Sequence, residues 1–180
     1  LDVDSRWGKV VKAGVRILAK LIDSALLKHD TVHLINSRGN HDSQSAFLLT
    51  IALTAYYRNE PRVTIDPSPD VFHYYRFESN LLGIHHGHLV RKPEKLYQVM
   101  TEDRRKDFGE CTHHAWLTGH IHHESVVEIG SMKIESFATI IPRDNYSHSN
   151  GYRAGRSLQS ISYHKDRGEC NRAKFNIPAK

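Results

Sequence analysis

The chain has 180 residues, 39% of them hydrophobic, with a formal net charge of +5 at pH 7 and a pI near 9.2. That length supports one sizeable core and a single domain over residues 1–180. No apolar run approaches the roughly 18 residues of a membrane span and no signal-peptide-like stretch is seen, so a soluble protein with no membrane partner is expected.

The basic balance leans toward anionic partners, and Arg104, Arg105 and Lys106 form a small basic cluster, although such an excess is more often a solvated surface. Cys111 and Cys170 lie outside any Cys-x-x-Cys pair and are too few for a disulfide framework, which suits a reducing, cytoplasmic setting. Fourteen histidines are the anomaly. Imidazole is the commonest protein ligand for transition metals, so their positions matter more than their number.

In chain order, Val11, Val15, Leu18, Ile22 and Leu26 recur at three- and four-residue steps and predict one buried helix face running to Lys28, with Asp4 or Ser5 as its cap. Thr31 to Ile35 predicts a short strand, followed by the polar loop Asn36 to Asp42. From Ser43, the apolar positions Phe47, Leu48, Ile51, Ala52 and Ala55 predict a second helix, capped by Ser43 or Asp42. Arg62 to Ile65 reads as a strand, and Val71–Phe77 with Leu81–His85 as two strands joined around Glu78-Ser79-Asn80. A charged helix is predicted from Pro93 to Asp107, then a strand over Ala115–Thr118. Two hairpins follow, Ser125–Ile129 with Met132–Phe137 around Gly130-Ser131, and Ser157–His164 with Cys170–Ile177 around Asp166-Arg167-Gly168. The fold class is α/β, increasingly antiparallel toward the C-terminus, and in such sheets ligands gather where loops leave the strand ends.

Three histidine-bearing blocks each follow a predicted strand. In Gly39-Asn40-His41-Asp42, glycine permits a sharp turn, asparagine offers a neutral oxygen to a metal, and histidine can donate a proton to a phosphate oxygen. Asp42 can hold the His41 ring by a hydrogen bond. A turn leading into a helix cap uses the same tetrapeptide. His86-Gly87-His88 ends an apolar strand, where one imidazole can reach a metal and the glycine allows close approach; a surface turn explains it as well. In Gly119-His120-Ile121-His122, an extended backbone leaves both imidazoles on one side, one for each metal of a bimetallic pair.

In this order and placement the blocks resemble the calcineurin-like metallophosphoesterase family, whose signature runs Asp-x-His, Gly-Asp-x-x-Asp, Gly-Asn-His-Asp/Glu, a His usually followed by Gly, then Gly-His-x-His. The match covers the last three elements, from Gly39 to His122. The run Gly151-Tyr152-Arg153-Ala154-Gly155-Arg156-Ser157-Leu158, followed by Ile161-Ser162-Tyr163-His164, further resembles bacteriophage-encoded members, which would place the protein in a host cytoplasm. The resemblance implies a metallophosphoesterase-like β-sandwich flanked by helices. It also implies that Asn40, His86 and His120 ligate one metal and His122 the other, that His41 is the proton donor or transition-state stabiliser assisted by Asp42, and that Arg153 and Arg156 clamp phosphate oxygens. Two divalent ions (Mn, Fe or Zn) roughly 3.5–4 Å apart would then polarise the phosphoryl group while a metal-bound hydroxide attacks in line.

Neither Asp-x-His nor Gly-Asp-x-x-Asp precedes Gly39. The expectation is therefore an N-terminally truncated domain that holds one nearly complete metal position and part of a second. Asp2 and Asp4 stand about where residues just after the second motif would fall, and Asp4 is read as a helix cap instead. Two functional classes follow. The first is a metal-dependent phosphoester hydrolase, a phosphodiesterase or nuclease-type enzyme acting on nucleic acid or nucleotides. The second is a non-catalytic metal- or nucleic-acid-binding module on the same scaffold.

Overall fold

The computed structural model describes residues 6–90, 92–142, 149, 151 and 153–178. They form two compact units, divided between Val71 and Phe72. The first contains α1 (Trp7–Leu26), β1 (Val32–Leu34), α2 (Ser43–Tyr56) and β2 (Val63–Ile65). On α1 the predicted stripe is the packed one: Ile22 is buried against Leu53, Tyr57 and Val63, with Val15, Leu18 and Leu26 alongside. The expected caps Asp4 and Ser5 lie outside the described residues, and the residue before the helix, Arg6, makes no side-chain cap bond. β1 and β2 pair in parallel, Val32 opposite Val63, and both valines join this small core.

The second unit carries β3 (His73–Phe77), β4 (Asn80–His85), α3 (Pro93–Asp103), α4 (Arg105–Glu110), β5 (His113–Thr118), β6 (Ser125–Ile129), β7 (Met132–Ser136), β8 (Arg156–His164) and β9 (Gly168–Ile177). Five of its strands make a mixed sheet in the order β3-β4-β5-β7-β6, with β4, β5 and β7 parallel and the edge strands antiparallel to their neighbours. Alternation along each strand then assigns the two faces. Leu81, Trp116, Met132 and Ile134 pack with Leu96 and Met100 of α3 into the main core. Trp116 is fully buried, and its indole N–H donates to the Leu96 carbonyl at 2.9 Å. Its ring lies over Gly83, where an added Cβ would meet Trp116 Cε3 at 2.5 Å.

The other face of β7 carries charge. Arg172 of β9 pairs with the buried Glu135, Lys133 reaches Glu169 at 2.6 Å, and Lys174 reaches Glu124 at 2.7 Å. Asn80 Nδ2 donates to the His164 carbonyl at 3.0 Å, so the hairpin of β8 and β9 covers this side. The expected α/β class is the observed one: in this unit a mixed sheet carries α3 against its core face. The second layer of the sandwich is this two-stranded hairpin.

One element differs. The charged helix expected over Pro93–Asp107 is two helices, interrupted at Arg104 (φ −127°, ψ 41°). There the Tyr74 hydroxyl donates to Asp103 at 2.6 Å and the Arg104 guanidinium sits 5.4 Å from the Tyr74 ring, drawing the chain onto β3. The basic cluster is also locally balanced. Arg104 pairs with Asp107, Arg105 with Glu102, and Lys106 with Glu110.

Two consequences are measurable. Gly83→Ala forces the indole aside and is expected to cost about 1–3 kcal/mol in urea unfolding; an unchanged midpoint would contradict this packing. Arg172 and Lys133 hold the Glu169 carboxyl down to about 2. Its stabilisation is therefore complete above the ordinary carboxylate range, near pH 4.5, and is lost as pH falls toward 2. Glu169→Gln should flatten that limb of the stability profile, read from chemical denaturation at stepped pH.

Candidate functional site

The site residues of the second unit are positioned by one strand pair. β4 and β5 run parallel with His85 opposite Thr118, so the chain leaves both strands side by side. The contact continues past the strands, where the Gly119 N–H donates to the His86 carbonyl at 3.1 Å. Gly87 makes this approach possible: its φ is +107°, and a Cβ there would stand 2.9 Å from the Gly119 oxygen. Only glycine adopts that backbone in that space.

The imidazoles of His86 and His120 are thereby brought to a ring-centroid separation of 5.2 Å. His88 joins them, 5.3 Å from His86 and 6.1 Å from His120. Beneath lies His85, only 1% exposed, its ring between Phe72 at 4.7 Å and His88 at 5.8 Å. Its Nδ1 accepts the Gly87 N–H at 2.9 Å. Burial, with the neighbouring rings of His88, His86, His120 and His73 adding to it, pulls the His85 pKa down to about 4, so the ring is neutral at physiological pH. His85 Nε2 and His88 Nδ1 are buried without a hydrogen-bond partner among the described residues.

His120 and His122 both lie in the left-handed region, with φ of 69° and 58°. The extended backbone expected for Gly-His-x-His is therefore a turn, in which the Ile121 N–H donates to the Gly119 carbonyl at 2.8 Å. Such a turn does not project residues i and i+2 as a strand would. His120 enters the imidazole group, whereas His122 makes no ring contact with it among the described residues.

The first block sits in the other unit, between β1 and α2, in the strand-loop-helix setting expected of it. Asn40, His41 and Asp42 are exposed and Gly39 is buried. Asp42 neither caps α2 through its side chain nor holds the His41 ring; its Oδ1 accepts the Gly39 N–H at 2.6 Å and closes the loop on itself. The partner of His41 is Asn40, with Nδ2 at 2.9 Å from Nε2. Arg153 is exposed. Arg156 donates to the carbonyls of Ile140 and, at 2.6 Å, Pro178.

His85 and His88 were not singled out from sequence as site residues. A signal for His85 was present: Leu81, Gly83 and His85 alternate onto one face of β4, which sends His85 inward.

As ligands, the residues fit part of one metal position. Two imidazoles binding one tetrahedral ion with Zn–N distances of about 2.0–2.1 Å have ring centroids near the 5.2 Å seen for His86 and His120. Imidazole suits Zn, Fe and other borderline cations. Among the described residues, however, no group of three or more His, Cys, Asp or Glu side chains is placed to hold a metal ion. The two-ion centre implied by the family resemblance does not fit them.

Fold and site together define a mixed α/β protein whose histidine-rich loops leave the carboxyl ends of parallel strands. No protein-family model matches the chain, and no curated protein matches it. Solved structures similar to it include a single mutant of Vps29 from Entamoeba histolytica, at 12% identity and TM-score 0.39, over 64% of this chain and 68% of that one. Wild-type Vps29 of the same organism, complexed with zinc, matches at 11% identity and TM-score 0.37, over 66% of each chain. A conserved uncharacterised protein from Streptococcus pneumoniae TIGR4, described as a predicted phosphoesterase, matches at 14% identity and TM-score 0.41, over 91% of each chain. Among the described residues, no helix is long and apolar enough to cross a membrane.

Gly87→Ala is expected to separate the two loops. Amide shifts of His86, Gly119 and His120 should move while those of β6 and β9 stay in place; a spectrum unchanged at the first three would show that the close approach is not required.

Proposed function

We propose that this chain is a metal-dependent phosphoester hydrolase of the calcineurin-like type, acting on phosphodiesters of nucleic acid or nucleotides. The observation that carries the reading is the approach of His86 and His120 at the ends of adjacent parallel strands, 5.2 Å between ring centroids. It is supported by the order of the three blocks, each leaving a strand. In this reading His86 and His120 would hold one divalent ion (Mn, Fe or Zn), and Asn40 and His122 are ligands on the family resemblance alone. When bound, such an ion supplies Lewis acidity toward a phosphoryl oxygen.

The chain's own residues have distinct tasks in this reading. With its amide nitrogen turned to His41, Asn40 keeps Oδ1 available as a ligand. In this reading His41 is the group that passes a proton to the leaving oxygen. Asp42 acts one step back, by fixing the loop at Gly39. Arg153 and Arg156 are the arginines that would meet phosphate oxygens in this reading.

The second reading is a metal- or nucleic-acid-binding module without turnover on the same scaffold. Hydrolysis of bis(p-nitrophenyl) phosphate and of p-nitrophenyl phosphate with Mn²⁺ separates the two. The enzyme reading expects a Mn²⁺-dependent rate, faster on the diester, that His41→Ala lowers on the order of a hundredfold and His120→Ala abolishes at low Mn²⁺. Binding of Mn²⁺ with no hydrolysis would establish the module. An unchanged His41→Ala rate would remove His41 as proton donor.

A further inference from the structure

The rim imidazoles stand above a ring that neither reading uses. His85 is the last residue of β4, on the face shared with Leu81 and Gly83, and it is nearly inaccessible to solvent. A buried imidazole ordinarily has both nitrogens satisfied. Here one is and one is not: Nδ1 accepts the Gly87 N–H at 2.9 Å, while Nε2 is buried with no partner among the described residues. Because Nδ1 accepts, the proton of the neutral ring resides on Nε2, which leaves a buried donor unsatisfied. Such a group destabilises the fold, and an apolar side chain would fill the same space without it. What an apolar residue would not supply is the acceptor for Gly87. That N–H belongs to the residue linking His86 to His88, and the same residue lies against the Gly119 carbonyl that leads into His120.

We infer that His85 is a positioning residue: its Nδ1 clamps the Gly87 amide, and the Phe72–His85–His88 ring stack holds the clamp, so that His86 is presented beside His120. This rests on the reading of His86 and His120 as metal ligands. His85 itself binds no ion and no substrate. Its task is to fix the backbone between two side chains that would otherwise sample several orientations at a strand end.

The test uses the full chain and Co²⁺, whose visible absorption reports ligand number and geometry, with thermal unfolding measured in parallel. His85→Leu removes the acceptor and fills the space. His85→Asn returns an oxygen acceptor near the position of Nδ1. Expected are a tenfold or greater loss of Co²⁺ affinity with an altered spectrum in His85→Leu, a melting temperature that does not fall in step, and recovery of most of the affinity in His85→Asn. Wild-type Co²⁺ bands retained unchanged in His85→Leu would overturn the inference alone. If the wild-type chain gave no Co²⁺ bands, the metal reading and the inference would fall together. Should His85→Leu fail to fold, the wild-type protein decides: long-range ¹H–¹⁵N spectra must show His85 Nδ1 unprotonated and hydrogen exchange must show the Gly87 amide protected. A protonated Nδ1 or a freely exchanging amide would also overturn the inference.

Discussion

The parallel pairing of β4 with β5 is the constraint on which the second unit depends. Its register sets His85 against Thr118 and sends two loops out of the sheet at the same level. Parallel strands cannot be joined by a tight turn, so α3 and α4 intervene and return the chain across one face. The same crossover that permits the pairing delivers Leu96 and Met100 to the core beneath it. Loop placement and core packing thus follow from a single connection.

The packing in turn restricts what can happen at the strand ends. Trp116 fills the space above Gly83, and its hydrogen bond to Leu96 fixes the depth of α3 on the sheet. Two residues further along β4, the same face presents His85 where an apolar residue would be expected. The left-handed His120 and His122 and the positive φ of Gly87 fall within the two loops, and the inward His85 ends the strand just before one of them. Strained and incompletely satisfied groups are costly, and several of them meet at these strand ends.

Much of the fold was legible because period and punctuation agreed. The α1 stripe, the turn at Gly130-Ser131 and the turn ending at Gly168 each combine a clear hydrophobic repeat with a residue suited to its backbone. The break at Arg104 was not legible, since it depends on contacts with Tyr74, thirty residues earlier in the chain. Within the site, His86 and His120 were recognisable from their motif positions and their approach is seen. The role of Asp42 was not, because an Asp before a helix can cap, brace a neighbour or close its own loop, and only coordinates distinguish these. The Gly-His-x-His segment failed for a related reason. Strand geometry was extended one step too far, into residues that turn.

The charged contacts between β7 and the hairpin of β8 and β9 also act as an alignment key. Glu135 is buried and is matched by Arg172 and Lys133, with Glu169 shared between them. A one-residue slip of the hairpin would turn Arg172 to the opposite face and leave Glu135 as a buried carboxylate with half its partners gone. Apolar contacts tolerate such slips, because one hydrophobic neighbour can replace another. These ions do not, so misaligned forms of the hairpin are penalised more than the aligned form is stabilised. The cluster selects a register among alternatives, which is a different service from adding to the total stability.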